Sequence, residues 1–498
     1  MLLNYLNSIF PYYTQNFISY SAHQQKEHGI DLDAIPSDAS LVIVPDAGSN
    51  EFDKHEILAQ KGIDILIIDH HNAERFSDYA CVVNNQLCEY PTKSLSGVGM
   101  VYKFCSYLDQ ELGTNHVERL QDLVAIGCVA DMMELRDFET KHLVTEGLAH
   151  PENPFIKGMM VKNDFQLKGE LTPFGVSWFI APAVNAVTRV GTYEERMVMF
   201  EAMLDFHAYD EIPSTKRGCK GQLETKVEQA CRNCTNVRNR QNKERDEGLD
   251  YIDELIQEQG MFDDPLLLIL LERDDFNPNI IGLMANQVAA KYNKPTLILR
   301  AVKDEDGQTY WRGSGRNIKG TEFESLQAYL LSTGLVEYAQ GHDNALGVSI
   351  PAQNIEAFRL QINTDLRRYD FSPIYSVDLE FDASKINGQD VLSLGDLYPI
   401  WGQGIEEPWI MVKNIKVNKS NLYFMKNNTI KIAPIEREDR LSYIMFKASD
   451  TTMNLLEPGD GYVVLNIIGH CTRNNYGEIS PQIVIKDYEI VSRSAYYF

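Results

Sequence analysis

One short stretch constrains the fold of this chain more than any other. Residues 63–68 form an apolar, β-branched run that is followed at once by Asp69, His70 and His71. A run of this length and composition predicts a buried strand. A buried parallel strand delivers its last residues to the crevice at the carboxyl edge of the sheet, where ligands bind. A carboxylate and two imidazoles at that edge predict a metal site.

The residues before this run repeat the same pattern. Residues 41–45 are apolar and Asp46 follows them, while His55 to Lys61 indicates a short helix between the two runs. A strand–helix–strand unit places its strands side by side and parallel, about 5 Å apart. An acid after one strand is usually a turn residue, but two consecutive strands that end in ligands favour a site. Asp46 is therefore predicted to share a metal with residues 69–71.

Two further stretches extend this candidate site. Residues 94–99 are small and begin a helical pattern, so they either approach a phosphate or only cap the helix. Residues 123–130 are small and apolar and precede Asp131. Asp131 is thus a third candidate ligand at the end of a buried element.

The middle of the chain predicts a loop and then a long helix. Residues 179–191 are interpreted as a loop in which Asn185 and Arg189 lie among apolar residues. An arginine in that setting is either a structural residue at a helix end or an anion clamp. Residues 222–259 predict one highly charged helix that bridges two domains. Its basic residues form either a solvated face or a surface that follows a nucleic-acid backbone; they are Arg232, Arg238, Arg240, Lys243 and Arg245.

A second α/β unit follows this helix. Residues 266–271 and 295–299 predict strands on either side of a helix at 279–292. Arg316 then lies in a glycine-rich segment that is interpreted as a loop, and His342 follows a glycine. Glycine lets the backbone approach a ligand closely, so these two residues together indicate phosphate binding.

From about residue 371 the pattern changes to short strands separated by turn signals, which predicts a small β-barrel. The predicted strands are Val412–Val417, Leu422–Met425, Thr429–Ile432, Ser442–Phe446, Tyr462–His470 and Gln482–Val491. Arg473 and Tyr476 lie in the turn between the last two strands. Such residues suit stacking on bases, although they are also common on ordinary surfaces.

Composition limits the classes of function. A net charge of −25 argues against indiscriminate nucleic-acid binding. It does not exclude a local basic groove, or a site at which a divalent metal supplies the positive charge. The sequence contains no run of 18 apolar residues, so no membrane span is expected. The eight scattered cysteines suit a reducing cytoplasm, and a zinc site at Cys231 and Cys234 is disfavoured because no partner pair lies nearby.

Taken together, these motifs resemble the RecJ-type single-strand-specific exonucleases of the DHH phosphoesterase superfamily. The matching segments are residues 44–48, Asp69-His70-His71, 125–131, 181–189, 313–316, 340–347, 401–408 and 476–482. The superfamily also has an earlier D-x-D-G motif that supplies metal ligands. Asp31 and Asp33 have neither a strand before them nor a glycine after them, so we expect that this motif is missing and that the chain is truncated at its N-terminus.

The resemblance implies an α/β architecture in four segments. These are a DHH phosphoesterase domain with a parallel sheet at 1–215, a connecting helix at 216–262, a smaller α/β substrate-binding domain of the DHHA1 type at 263–370, and an oligonucleotide-binding (OB-like) β-barrel at 371–498.

The resemblance also implies phosphodiester hydrolysis with two divalent metals, Mn²⁺ or Mg²⁺. Asp46, His70 and Asp131 would be metal ligands, Asp69 would orient an imidazole, His71 would contact the scissile phosphate, Arg316 and His342 would bind phosphate, and Asn185, Arg189, Arg473 and Tyr476 would line the DNA path. Without the first motif we expect an incomplete second metal site and impaired activity.

The family implies 5′-to-3′ digestion of single-stranded DNA in repair or recombination by a cytoplasmic monomer, with a single-strand-binding protein or helicase as partner. One alternative is a phosphodiesterase that acts on oligonucleotides or small phosphate esters, against which the barrel argues. The other is a non-catalytic DNA-binding or scaffold protein, against which the intact clustered acids argue.

Overall fold

The structure is a computed structural model, and it describes residues 1–20, 29–219, 221–272, 276–304, 307–318, 320–434, 437–475 and 478–494. The chain forms two compact units. The first consists of Met1–Pro182, Tyr193–Arg232 and Ser376–Phe498, and the second of Ala183–Thr192 and Asn233–Tyr375. The four segment boundaries predicted from the sequence stay predictions.

The first unit begins with two helices and a three-stranded parallel sheet. Its elements in chain order are α1 (Leu2–Ile9), α2 (Pro11–Phe17), β1 (Leu41–Pro45), α3 (Phe52–Gln60), β2 (Asp64–Asp69) and β3 (Cys81–Asn84). The strands lie in the order β1-β2-β3, with both pairs parallel. The predicted parallel pairing of β1 with β2 is therefore confirmed. Val44, Leu58, Ile65 and Ile67 bury their side chains in the core beneath this sheet.

Helices complete this part of the unit. They are α4 (Gly97–Leu112), α5 (Gln121–Ala130), α6 (Phe138–Ala149), α7 (Pro154–Lys162), α8 (Asp164–Leu167), α9 (Pro173–Gly175), a π-helical turn at Val176–Ile180 and, after α10 (Ala181–Val190), α11 (Tyr193–Ala202). Helix α10 belongs to the second unit from Ala183 onward. The prediction of a loop over 179–191 is wrong. Small side chains and alanines favour helix there, and no glycine interrupts the segment before Gly191.

The long predicted helix exists but starts later. Strands β4 (Glu211–Pro213) and β5 (Leu223–Thr225) form a hairpin, and α12 (Lys226–Glu258) follows it. The helix begins at Lys226 because Leu223–Thr225 pairs with the preceding strand. Arg232 is not part of a solvated face, since its guanidinium hydrogen-bonds the Glu224 carboxylate and the Thr215 hydroxyl.

The second unit contains a mixed sheet in the order β6-β7-β8-β10-β9. Its elements are β6 (Leu267–Leu271), α13 (Ile281–Tyr292), β7 (Thr296–Lys303), β8 (Thr309–Arg316), α14 (Leu326–Ser332), β9 (Tyr338–His342), β10 (Ala345–Pro351) and α15 (Ile355–Asp365). The prediction of a glycine-rich loop before Arg316 is wrong, because Gly313 and Gly315 lie inside β8. A Cβ at Gly313 would lie 2.0 Å from the Ile298 carbonyl oxygen, so glycine lets two strands approach closely.

The C-terminal part of the first unit is a seven-stranded sheet in the order β11-β12-β16-β17-β15-β14-β13. Its elements are β11 (Leu379–Asp382), α16 (Gly388–Gly395), β12 (Ile410–Asn418), β13 (Leu422–Met425), β14 (Thr429–Ile432), β15 (Ser442–Met445), α17 (Asp450–Leu456), β16 (Tyr462–Asn474) and β17 (Ser480–Ser494). All six strands predicted from alternation are present. We call this part the barrel domain.

The segment that leads into β12 contacts the loop after α5. The Leu135 amide donates a hydrogen bond to the Gln403 carbonyl at 2.9 Å. Gly404 has φ +78° and packs against the Glu134 carboxylate. The barrel domain is thus anchored next to the loop that follows residue 131.

Among the helices of the described residues, none combines the length and the apolar character needed to cross a bilayer.

Candidate metal centre

Three strand ends form the floor of the candidate site. In the sheet register Pro45 lies opposite Ile68, and Asp69 lies opposite Asn84. Asp46 therefore follows β1 at the level where β2 ends, and its amide donates a hydrogen bond to the Ile68 carbonyl at 2.8 Å. Parallel pairing thus brings the polar ends of β1, β2 and β3 to one edge, as the sequence predicts for the first two.

His70 lies between two carboxylates. Its Nε2 atom is 3.2 Å from Asp46 Oδ1 and 3.4 Å from Asp131 Oδ2. Asp131 reaches this position as the residue that directly follows α5. One ligand atom each of Asp46, His70 and His71 lie within 4.8 Å of one another. Carboxylate oxygens and imidazole nitrogens at this spacing suit a divalent cation of borderline hardness.

Asp69 is the buried residue of the motif, with 1% of its surface exposed. Its Oδ1 accepts hydrogen bonds from the His70 amide at 2.8 Å and the His71 amide at 3.2 Å, and lies 2.8 Å from His71 Nδ1. Its Oδ2 accepts from the Ser49 amide at 3.2 Å. Burial opposes the charge of this carboxyl group, but the hydrogen bonds from His71 and Ser49 outweigh it and lower its pKa. Asp69 is therefore an ionised anchor for the His71 ring.

The electrostatics of the cluster favour positive charge between the carboxylates. Partial burial opposes the protonation of His70, yet the hydrogen bond to Asp46 and the charge of Asp131 outweigh it, so the pKa of His70 is raised. Burial raises the pKa of Asp131, the charge of His70 counteracts the increase, and the charge of Asp46 adds to it. The cluster thus stabilises a cation at this point, as a metal site must.

Two further residues shape this edge of the sheet. The first is Asn84, at the end of β3, which donates through Nδ2 to the Ser49 hydroxyl and to the His71 carbonyl, both at 2.9 Å. The Asn84 and Ser49 side chains are both buried. The available signal was that β3 is a third β-branched run that ends on a polar residue, so the strand-end pattern extends to it.

Gly97 is the second of these residues. It is the first residue of α4, whose N-terminus is capped by the Ser96 hydroxyl through the Gly99 amide. A Cβ at Gly97 would lie 2.0 Å from Asp46 Oδ1. Residues 94–99 therefore cap the helix, and they also leave the space that the Asp46 carboxylate occupies.

Four candidate residues belong to the second unit. Arg316 and His342 both lie opposite Ala345, one on each neighbouring strand. Residues directly opposite one another on neighbouring strands project from the same face of a sheet. Arg316 and His342 are two strands apart, so their Cα atoms lie about 10 Å apart. Burial lowers the pKa of Arg316, and the charge of Arg189 lowers it further. Two guanidinium groups that repel each other favour an anion beside them. Asn185 and Arg189 are four residues apart on α10 and share its face.

The candidate DNA contacts in the barrel domain have different outcomes. Arg473 lies at the end of β16, where its guanidinium donates to Asp396 Oδ1 at 2.9 Å and to Asn475 Oδ1 at 3.0 Å. Because Asp396 already accepts a hydrogen bond from this guanidinium, the structure favours a structural role for Arg473 over a DNA contact. Tyr476 lies outside the described residues.

Comparison with protein families gives two matches. Residues 1–128 match the family model described as "DHH family, N-terminal domain", and residues 377–487 match the one described as "RecJ OB domain". YorK, a SPbeta prophage-derived protein of Bacillus subtilis (strain 168) that is named for single-strand DNA-specific exonuclease activity, is 34% identical over 498 residues. That similarity covers 99% of this chain and 84% of YorK.

A more distant relative is the single-stranded-DNA-specific exonuclease RecJ of B. subtilis, 25% identical over 463 residues, which covers 90% of this chain and 54% of that protein. Among solved structures, RecJ of Thermus thermophilus in complex with Mn²⁺ has a TM-score of 0.66 at 16% identity, over 92% of this chain and 62% of that one. The Mg²⁺ complex has a TM-score of 0.60 at 15% identity, over 90% and 67%. These structures show the fold. With the identity to YorK, they establish that the chain belongs to the RecJ-type exonucleases of the DHH family.

Proposed function

We propose that this chain is a divalent-metal-dependent exonuclease that hydrolyses single-stranded DNA. The observation that carries this proposal is the joint position of Asp46, His70, His71 and Asp131 at one edge of the parallel sheet. The same unit also contains the barrel domain, and barrels of this class bind single-stranded nucleic acids. Its presence supports the choice of a polymeric substrate.

The residues present fit a divalent cation. Asp46 and Asp131 offer oxygen ligands, and His70 offers Nε2 between them. When bound, Mn²⁺ or Mg²⁺ lowers the pKa of a coordinated water and stabilises the negative charge that develops on phosphate oxygens. The described residues supply a compact ligand set for one ion. We therefore propose that one cation binds more tightly than a second, which would take more of its ligands from water and substrate.

Asp69 and His71 then act on the substrate side. Because Asp69 holds Nδ1 of His71, the proton on that nitrogen is fixed and Nε2 remains for a ligand. The His71 side chain is mostly exposed, so it can reach a phosphate oxygen and donate a hydrogen bond when protonated. Asp69 is a positioning residue here, since its own oxygens are already occupied by four donors.

The second unit would supply the grip on the substrate. Arg316 and His342 project from one face of its sheet, and Ser314 and Gly282 lie beside the Arg316 guanidinium. A guanidinium with a hydroxyl and a helix N-terminus nearby suits a phosphate group. Arg189 and Asn185, on α10, would line the path of the strand. The family resemblance favours a 5′ phosphate as the group bound.

A nuclease assay tests the proposal. Single-stranded oligonucleotides labelled at either end are incubated with Mn²⁺, and product lengths over time report the rate and direction. We expect stepwise loss from the 5′ end of long single strands, little cutting of duplexes, and a rate roughly 100-fold lower or more for Asp46→Asn.

The matched control is Asp64→Asn, which removes an exposed aspartate at the opposite end of β2 and should leave the rate unchanged. Equal rates for Asp46→Asn and the wild type would reject the assigned centre. Faster hydrolysis of dinucleotides than of long strands would instead favour an oligonucleotide phosphodiesterase. Isothermal titration with Mn²⁺ counts the bound ions, and two tight sites would contradict the proposed single tight ion.

A further inference from the structure

The β4–β5 hairpin is held against the start of α12 by a largely buried ion pair. The Arg232 guanidinium donates to both carboxylate oxygens of Glu224, at 2.6 Å to Oε1, and to the Thr215 hydroxyl at 2.9 Å. The Glu224 and Arg232 side chains are 11% and 19% exposed. The hydrogen bond from Arg232 outweighs burial and lowers the pKa of Glu224 to about 2, so the carboxylate is charged at neutral pH. The ion pair therefore fixes the hairpin on the helix.

Further hydrogen bonds reinforce this position. Gln229 Nε2 donates to the Pro213 carbonyl at 3.1 Å and to Glu224 Oε1 at 2.8 Å. The Thr215 amide also donates to Glu224 Oε1, at 3.2 Å. A two-stranded hairpin on its own is at best marginally stable in water, and these strands have only three residues each. The contacts with α12 thus supply a rigidity that the strands alone lack.

The end of this hairpin is basic and projects into solvent. We call residues 214–222 the hairpin tip; they include three basic residues and no acid, although the net charge of the chain is −25. Lys216 and Arg217 are exposed, and a Cβ on Gly218 or Gly221 would meet no atom within 4 Å. Among the described residues, neither Lys216 nor Arg217 has an ion-pair partner. A rigid support therefore presents uncompensated positive charge.

Helix α7 adds two lysines beside this support. It packs against α12 at Gly158, where a Cβ would lie 2.7 Å from the Cys231 sulfur, one residue before Arg232. Burial raises the pKa of the Cys231 thiol, and the charge of Lys162 counteracts that increase, so Lys162 lies close to this contact. Lys157 and Lys162 are both exposed, and neither forms an ion pair within the part of the chain that the structure describes.

The chemistry of this surface suits a DNA duplex better than a single strand. The hairpin tip contains no aromatic residue, so it cannot stack on bases as single-strand-binding surfaces do. Attraction by charge alone favours the backbone with the highest charge density. A duplex carries one phosphate charge per roughly 1.7 Å of its axis, against roughly 3.4 Å for one strand. A two-stranded β-ribbon also fits the width of the major groove.

We propose that the hairpin tip and the lysines of α7 contact the phosphate backbone of a DNA duplex that adjoins the single strand. The inference rests on the proposed function for its choice of DNA as the ligand. It adds a second binding surface, none of whose residues takes part in the metal centre. The enzyme then holds a single-stranded tail that continues into a duplex more tightly than a free single strand.

Binding is measured with the full chain in EDTA, so that DNA is not cut, on a fluorescent blunt duplex and on a fluorescent oligothymidine. Lys216→Gln with Arg217→Gln should lower the salt slope of duplex binding, log K against log salt, by about 1.8, because each phosphate contact on B-DNA contributes about 0.9. Duplex affinity should fall roughly 10- to 100-fold at about 0.1 M salt. Oligothymidine affinity should stay at the wild-type value, which a misfolded variant would not show.

Two further variants complete the comparison. Lys157→Gln with Lys162→Gln should also weaken duplex binding and lower its salt slope, because these lysines belong to the same surface. The matched control is Lys61→Gln with Lys141→Gln, which removes two exposed lysines that have no ion-pair partner among the described residues. It changes the net charge by the same amount and should leave duplex binding unchanged. A duplex with a single-stranded tail should bind the wild type more tightly than the tail alone.

The outcomes separate this surface from the proposed function. Unchanged duplex affinity and salt slope in the tip variant overturn the duplex contact, and nuclease activity of the wild type then leaves the function standing. An equal loss for the duplex and for oligothymidine also overturns it, because the tip would then follow any DNA backbone. Duplex binding that depends on the tip, in a wild type that cuts no DNA, supports the contact and rejects the function. If the tip variant loses binding to polyglutamate but not to the duplex, the partner is a protein and the proposal is wrong.

Discussion

At the scale of single residues, the backbone of Asp46 is the least expected feature of the site. Its φ of +64° lies in the left-handed region, which costs an ordinary residue about 1–2 kcal/mol. The bond from its amide to the Ile68 carbonyl holds this conformation, and it aims the carboxylate at His70. Strain of this kind persists where the surroundings fix it, and it is concentrated at functional sites.

Gly97→Ala should disturb the metal centre without weakening its helix. The new Cβ would lie 2.0 Å from Asp46 Oδ1, so the carboxylate must move. A displacement of about 1 Å can lower a rate roughly 100-fold, whereas alanine improves helix propensity. We expect a roughly 10- to 100-fold lower Mn²⁺-dependent rate at an unchanged melting temperature. The control is Gly99→Ala, whose Cβ would lie nearest to the Leu95 and Ser96 side chains, at 3.3–3.6 Å, and which should keep the wild-type rate.

Asp69→Asn should act through the neighbours of the residue. An amide cannot accept all four hydrogen bonds that the buried carboxylate receives from Ser49, His70 and His71. Removing a side chain that orients a metal ligand typically lowers metal affinity or activity roughly 10- to 100-fold. Calorimetric titration with Mn²⁺ and the nuclease rate measure both. Wild-type values in both assays would show that Asp69 has no positioning role.

The sequence was sufficient to predict which residues end β1 and β2, because two consecutive β-branched runs that both end in an acid or an imidazole favour a ligand-binding site. It could not predict the left-handed Asp46 or the space at Gly97. Both depend on how α4 packs against β1, which no local pattern encodes. Asn84 was missed for a related reason: a single asparagine after a strand resembles an ordinary turn residue until parallel pairing places it beside Ser49 and His71.

At the scale of elements, one partly buried ion pair links two segments of the barrel domain. Oδ1 of Asp439 accepts a hydrogen bond from Arg437 Nε at 2.9 Å. Its Oδ2 accepts a hydrogen bond from the Gly388 amide at 2.7 Å. The hydrogen bond from Arg437 outweighs partial burial and lowers the pKa of Asp439 to about 2. The start of α16 is thereby tied to the segment before β15.

This pair predicts a pH dependence of stability. Because the folded-state pKa of Asp439 is below its ordinary value of 3.8, its contribution is fully present above about pH 4 and is lost as the pH falls through about 2. Asp439→Asn should lower the free energy of unfolding at neutral pH by about 1–3 kcal/mol. The difference from wild type should shrink between about pH 4 and pH 2 in urea titrations. A difference that stays constant over this range would contradict the ion pair.

Elements were predictable where local pattern and tertiary environment agree. The barrel strands match their predicted ranges closely because alternation and turn residues both mark them. The errors at 179–191 and 313–316 have one origin. Small residues are compatible with loops, helices and close-packed strands alike. Which of these forms depends on the residues that pack against the segment, such as Ile298 beside Gly313, and not on the segment alone.

At the scale of the whole molecule, the docking of Gln403 on Leu135 matters for the metal centre. The loop that receives it begins directly after Asp131, at Met132, which is itself in the left-handed region with φ +57°. A contact with the barrel domain therefore restrains the chain that carries Asp131, one of the proposed ligands. The fold class and the parallel pairing of β1 with β2 were within reach of the sequence, but this contact between distant segments was not.

The proposed metal ligands would also make the stability of the fold depend on the ion. Asp46, His70 and Asp131 lie far apart along the chain and meet only when β1, β2 and α5 are packed, so the unfolded chain has no site. An ion that binds only the folded state stabilises it by about 2.7 kcal/mol at roughly 100 times its Kd. Mn²⁺ should raise the melting temperature of the wild type but not that of a variant with both Asp46→Asn and His70→Ala. Equal shifts for the two proteins would contradict the site.

A cation bound at the proposed site would therefore also be a reversible cross-link. Like a disulfide, it joins segments that are remote in sequence, but it releases them when a chelator removes it. Its removal should let β1, β2 and α5 open more often, and proteases should cut the first unit sooner. The same strand-end residues that would perform the chemistry then also set how long the enzyme survives when divalent metal is scarce.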